Sequence, residues 1–159
     1  MIIRPMREED IPHCHRIVEE NWNKEIADHA QLEMRDAFYS HSLWPPKYYV
    51  AVDPEADQDG EKVILGFAGY RRSWMMSNTY ELVWINVAWW AQKQGIGRKL
   101  TEARIQDIRR IGGTMIMLMT QKSLFFEKFG FKMLANYDDW KLMVATFGQI
   151  HLSKDHSRV

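Results

Sequence analysis

"QKQGIGRKL", residues 92–100, follows the apolar run "YELVWINVAWW" at 80–90 and sets two glycines around one isoleucine where a strand pattern gives way to a helix pattern. Glycine lets the backbone take conformations that a Cβ would block and lets a ligand approach the amides closely. The first N–H groups of a helix have no internal acceptor, so a helix opened by such a turn offers an anion site that its dipole strengthens. Gly95 and Gly97 therefore mark a candidate pyrophosphate cradle, with Lys93, Arg98 and Lys99 adding positive charge around it. An ordinary glycine turn would read the same way, because G-x-G alone is a weak signal. Two nucleotide motifs are excluded: G-x-x-x-x-G-K-[ST] does not occur, and no third glycine completes G-x-G-x-x-G.

Outward from that turn the chain alternates strand and helix patterns. "MIIRP" reads as a first strand, and "REEDIPHCHRIVEENW" as a helix with Asp10 as N-cap and Pro12 in its first turn. A second helix is expected over about 30–42, stopped by "WPP". "KYYVAVD" and "KVILGFAGYRRSW" are strands joined by the hairpin turn "PEADQDGE", and "TYELVWINVA" is the next strand. A helix runs from Gly97 to about Ile111 and is closed by Gly112 and Gly113. "TMIMLMT" has the length and continuous apolar character of a buried strand. "SLFFEKFG" is a short helix, and "FKMLAN" with "WKLMVATF" forms a closing antiparallel pair. This order makes an α/β (α+β) sheet with helices packed on it, in one domain over 1–150 followed by the polar tail "HLSKDHSRV".

At 159 residues and 46% hydrophobic content the chain can build one sizeable core. Its 21 Lys and Arg balance its 21 Asp and Glu, so it lacks the basic field of a nucleic-acid binder, and a small molecule or a local peptide is the expected partner. The single cysteine, Cys14, has no internal disulfide partner, and no apolar N-terminal stretch reads as a signal peptide or membrane span, so a cytoplasmic location without membrane attachment is the expectation. "HCH" at 13–15 is not read as a metal site, because adjacent helical residues point about 100° apart.

"VAWWAQKQGIGRKL" resembles the acetyl-coenzyme A signature [QR]-x-x-G-x-[GA] of the Gcn5-related N-acetyltransferase (GNAT) family, with Gln92, Gly95 and Gly97 at its defining positions. "IIRPMREEDI" is similar to the family's first strand and helix start, and "FFEKFGF" to its late helix and strand. The resemblance implies a mixed, mostly antiparallel sheet whose central strand "ELVWINV" splays from "MIMLMT" so that the pantetheine arm lies between them. It assigns the coenzyme to Ile85, Asn86 and Val87 on the strand, to Gln92, Lys93, Gln94, Gly95, Ile96, Gly97, Arg98 and Lys99 on the turn, and to Phe126 on the late helix. A main-chain N–H near Asn86 or Val87 would polarise the thioester carbonyl, an oxyanion-hole role. Asn86 is equally readable as a bulge residue.

The implied reaction moves an acetyl group from acetyl-CoA to a primary amine by direct attack in a ternary complex, with no metal. An alkylammonium must first lose a proton, and Glu81, eleven positions before Gln92, stands at an offset similar to that of the catalytic glutamate in the family's histone-acetylating branch. Burial among Val83, Trp84 and Ile85 would make it a better base, whereas a solvated strand-start glutamate would serve no such role. Family members often carry a tyrosine that protonates the departing thiolate, and Phe126 stands in that position. Its ring can pack against the coenzyme or simply fill core; Tyr80, Tyr137 and Ser123 are other donors by residue type alone. The departure leaves a second reading open, a CoA- or acyl-CoA-binding module with weakened catalysis. The acceptor is a small-molecule amine or an amine of a peptide or protein. His41 can border it or be a solvated loop histidine, and Trp74, Met75, Met76 and Trp84 can border it, with core or a homodimer contact as their alternative uses.

Overall fold

The computed structural model describes residues 1–58 and 61–152. Seven strands form one sheet in the order β1-β2-β3-β4-β5-β7-β6. They are β1 (Ile2–Pro5), β2 (Lys47–Gln58), β3 (Glu61–Arg72), β4 (Thr79–Val87), β5 (Met115–Thr120), β6 (Lys132–Tyr137) and β7 (Trp140–Thr146). Every pairing is antiparallel except β4 with β5. That one parallel pair needs a crossover, which the helix between them supplies. The helices are α1 (Ile11–Asn21), α2 (Lys24–Tyr39), α3 (Ile96–Arg110) and α4 (Ser123–Glu127). Element order and sheet class are those expected from the sequence.

Local departures have local causes. Asp10 precedes α1 as expected but does not cap it, since its carboxylate accepts from Arg4 Nη1 and Nη2 at 2.7 and 2.8 Å and from the Arg7 N–H at 2.7 Å. The second helix begins about six residues before the expected start and ends at Tyr39. Asn23 is the reason: its Oδ1 accepts from the Ile26 N–H at 2.9 Å and caps the first turn. The buried stripe of α2 is Ala27, Ala30 and Met34, two of them too small to stand out as an apolar period. β2 and β3 extend into the segment read as a turn, whose residues 59–60 lie outside the described residues.

The apolar run of β5 is not buried throughout. Ile116 and Leu118 are core, while Met115, Met117 and Met119 are half-buried or exposed on alternate positions. Two core clusters hold the sheet. Cys14, Val18, Ala30 and Met34 pack with Val50, Ala51 and Phe67, and Ile105 and Ile108 pack with Ile116, Phe126, Phe131 and Met143. The His151 N–H donates to Phe129 O at 2.8 Å and Leu152 packs on the second cluster, so the packed part of the chain continues to residue 152. Residues 153–159 of the polar tail lie outside the described residues.

Candidate active site

β4 and β5 pair only at Thr79–Met115, Tyr80–Ile116 and Glu81–Met117. Beyond Glu81 no pairing joins them, although β4 continues to Val87 and β5 stays paired with β7 to Thr120. The two strands therefore form a V whose vertex lies just past Glu81. On the other edge of β4, Trp84 and Ile85 stand against Ala68 alone, between the pairs Gly69–Val83 and Phe67–Asn86. This is a β-bulge, and Trp84 within it takes φ +46. A bulky residue at positive φ is costly and marks a segment held by its surroundings.

Two elements hold the far arm of β4. Asn21 Nδ2, at the end of α1, donates to Val87 O at 2.9 Å, and the buried Asn86 accepts on Oδ1 from Asn21 Nδ2 at 3.3 Å and Trp22 Nε1 at 3.2 Å. Gln92 Nε2 donates to the same Val87 carbonyl at 3.2 Å. The Ala88 N–H is taken by Leu65 O at 2.9 Å, so the alternation of an antiparallel ladder turns the Val87 N–H to the opposite edge, into the V. Asn86 thus sits beside the bulge rather than in it, and its side chain is a structural anchor.

The glycine turn stands at the open end of the V. Gly95 is the N-cap of α3 at φ +80 and Lys93 is at φ +62, with Gln94 between them. Such alternation of backbone hand turns successive N–H groups toward one side and makes an anion-binding concavity. The first internal bond of α3 is Lys99 N–H to Gly95 O at 3.1 Å, so the amides of Ile96, Gly97 and Arg98 have no acceptor within the helix. Space is open at Gly95, and a Cβ at Gly97 would meet Ile85, Phe125 and Val87 only at ordinary contact, 3.7–3.9 Å. These features fit a pyrophosphate. Lys93 and Lys99 are exposed there, while Arg98 reaches along the helix to Glu102 at 3.1 Å.

The remaining expected residues are differently placed. Glu81 faces Arg71 across the β3–β4 ladder, and Arg71 Nε donates to its Oε2 at 2.7 Å. Its setting is an ion pair, not the apolar surround expected from Val83, Trp84 and Ile85. Phe126 is only 3% exposed and lies edge-on to Phe125 at 4.9 Å and Phe131 at 6.0 Å between centroids. The ring at the V is Phe125, beside Gly97 and half-buried. Tyr80 is buried against Tyr70, Tyr137 is exposed, and Ser123 begins α4. His41 is exposed, as are Trp74, Met75 and Met76 in the β3–β4 loop, so these are not core. Cys14 is buried, which pushes its thiol pKa up, and His15 bonds Asp28 at 2.8 Å. Among the described residues no group of three or more His, Cys, Asp or Glu could hold a metal ion, and no helix is long and apolar enough to cross a membrane.

Besides Asn21, two contributors at the bulge went unseen in the sequence. Glu33 of α2 accepts from Trp84 Nε1 and pairs with His29 Nε2 at 3.1 Å, fixing the bulge from one side. Nothing in its spacing points to β4. Arg104 of α3 is 0% exposed and meets the bulge from the other side, donating from Nη1 to Gly69 O at 2.9 Å and Val83 O at 3.3 Å. Its signal was legible: an arginine within the apolar stripe Leu100, Ile105, Ile108.

A V-shaped gap between parallel strands, a strand bulge near its vertex and a glycine-headed helix at its mouth together form a long cleft with an anion-binding end. The sequence model of the GNAT acetyltransferase family matches residues 11–131. The chain belongs to that family. Among solved structures it is similar to a GNAT-family acetyltransferase from Desulfovibrio desulfuricans, with TM-score 0.76 and 24% identity over 91% of this chain and 98% of that one. Aminoglycoside 6'-acetyltransferase type Ii aligns with TM-score 0.71 and 21% identity over 92% and 97% of the two chains. The PaiA N-acetyltransferase of Thermoplasma acidophilum, solved with coenzyme A, aligns with TM-score 0.69 and 16% identity over 92% and 98%. A comparison with curated proteins finds no match.

Proposed function

We propose that the protein transfers an acetyl group from acetyl-CoA to the primary amine of a small molecule, by direct attack in a ternary complex. The observation that carries this reading is the divergence of β4 from β5 past Glu81, with the free amides of α3 at the open end. The pyrophosphate is assigned to the turn from Lys93 to Lys99, and the pantetheine to the gap beside Ile85, Asn86 and Val87. The Val87 N–H is the donor to the thioester carbonyl, and Phe125 takes the contact that the sequence assigned to Phe126. Similarity to aminoglycoside acetyltransferases supports a small, amine-bearing acceptor, and amines of peptides are the competing class. A cytoplasmic location accords with the use of this co-substrate.

Glu81 is assigned as the group that receives the amine proton, directly or through water. It stands at the vertex of the V, and Arg71 fixes one of its oxygens. The test is release of CoA thiol with a panel of small amines and lysine peptides. The expected outcome is turnover with at least one small amine, and a drop of about 10²- to 10⁴-fold in Glu81→Gln at little change in CoA affinity. Coenzyme binding without thiol release for any acceptor would favour the binding-module reading, which the buried phenyl ring of Phe126 motivates. A Glu81→Gln protein as active as the native one would move the base role to water.

A further inference from the structure

Arg104 is the one arginine among those described with a wholly buried residue, and it has no carboxylate partner among the described residues. Its guanidinium is surrounded by neutral oxygens: Gly69 O at 2.9 Å, Thr101 Oγ1 at 3.0 Å, Val83 O at 3.3 Å and Leu100 O at 3.3 Å. Burial pulls its pKa down to about 9, so it is a cation at neutral pH. Burying an unpaired charge is expensive, and an apolar side chain of similar size would cost less. The expense is understandable where negative charge arises during the reaction.

The position of Arg104 points to such a place. α3 runs antiparallel to β4, with Gly97 beside Ile85 and Val87 at the open end of the V and Arg104 on Val83 near its vertex. Seven residues of helix separate the two positions, about 10 Å along the axis. A coenzyme with its pyrophosphate on the turn and its arm in the gap would bring its sulfur toward the vertex. This placement rests on the proposed acetyl transfer.

We propose that Arg104 is a positioning residue for acyl transfer, clamping β3 and β4 at the bulge so that the β4 amides face the thioester and placing a positive charge across β4 from the sulfur that leaves. In the step it serves, the amine nitrogen bonds the acetyl carbon, the C–S bond breaks, and its electron pair stays on sulfur as the CoA thiolate. The amine proton passes to Glu81 or water, and Arg104 keeps its own proton throughout. The guanidinium therefore does for the thiolate by charge what the ring of Phe126 cannot do by proton donation.

The experiment reads the thiol of bound CoA directly, by the ultraviolet absorbance of its thiolate during a pH titration, with no acceptor present. Free CoA, the native protein, Arg104→Met and Arg104→Lys are compared, with melting temperature and CoA affinity measured alongside. In the native complex the thiol is expected to ionise about one pH unit below free CoA, and in Arg104→Met at or above the free value. Arg104→Lys keeps the cation and should titrate near the native complex. With the acceptor found by thiol release, Arg104→Met should lose about 10-fold or more in kcat with a KM for acetyl-CoA within a few-fold, and Arg104→Lys should recover part of it. A native complex whose thiol ionises at or above the free value overturns the proposal whether or not the variants fold. Equal titrations in native and Arg104→Met complexes overturn it too and leave Arg104 a packing residue. Failure of the native protein to bind CoA would remove the acetyl-transfer reading itself, a distinct result.

Discussion

Gly95 and Gly97 both fill defining positions of the signature, yet the structure assigns them different physical duties, and alanine separates them. Gly95 is at φ +80 with open space where a Cβ would be, so Gly95→Ala suffers backbone strain alone. A left-handed conformation costs an L-residue about 1–2 kcal/mol. For a domain of this size each kcal/mol lowers the melting temperature by about 2–4 °C, so a fall of about 2–8 °C is expected. Gly97 lies in the first turn of α3 at ordinary helical φ, and its Cβ would touch Ile85, Phe125 and Val87 at 3.7–3.9 Å without overlap. Alanine there gains up to about 1 kcal/mol of helix propensity and some contact. Gly97→Ala should therefore melt at or slightly above the native temperature. CoA affinity, measured by calorimetric titration, should fall several-fold in Gly95→Ala because the turn that aims the amides is strained, and change little in Gly97→Ala. Valine at Gly97 adds branches that must displace Ile85 or Phe125 and should cost about 1–3 kcal/mol. If Gly97→Ala destabilises the free protein more than Gly95→Ala does, the assignment of backbone strain to Gly95 and of room for a methyl group to Gly97 is wrong.

Two further perturbations test the core beneath the site. Burial pushes the Asp107 carboxyl up, but hydrogen bonds from Tyr70, Arg110 and Tyr49 outweigh it and hold its pKa at about 2. A depressed carboxylate contributes stability that is present above its unfolded pKa near 4 and lost as pH falls toward 2; Asp107→Asn should lose about 1–2 kcal/mol at pH 7, and less than half of that at pH 2.5 by chemical denaturation. Phe126→Tyr adds a hydroxyl among the rings of Phe125 and Phe131; unless it reaches an oxygen, the buried group should cost about 1–3 kcal/mol, and an unchanged melting temperature would mean that the ring edge already opens to the cleft.

The elements were legible because their signals are local. Pro12 in a first turn, Gly112 and Gly130 at φ +88 and +94 closing helices, and the β-branched runs of β3 and β4 each point to one conformation. The glycine turn of the candidate site was legible for the same reason, since Gly95 and Gly97 shape their own backbone. What the sequence concealed is non-local. The carboxylate of Glu81 is paired because β3 and β4 put Arg71 opposite it, a matter of register. Phe125 and Phe126 are adjacent identical rings, and only the orientation of α4 decides which one faces Gly97. The small Ala27 and Ala30 hid the start of α2. Asn21 and Glu33 serve β4 across gaps in sequence that no period encodes, and for Arg104 the apolar stripe of α3 marks its burial but not its partner strand.

These distant side chains converge on one strained segment. Trp84 would not hold φ +46 in an isolated strand, because a ladder without a bulge would relax it. Glu33 holds the indole from α2, Arg104 holds the preceding carbonyl from α3, and Asn21 holds Val87 three residues on. With β4 fixed on both faces and at its end, the V can stay open without β5, and the N–H of Val87 can remain unpaired in the gap. A strand edge left free inside a protein costs about 1–3 kcal/mol for each polar group that is buried without a partner. An extended arm bearing amide and thioester carbonyls would offer such partners in sequence, which supports the proposed assignment of this gap to a pantetheine arm rather than to a compact ligand.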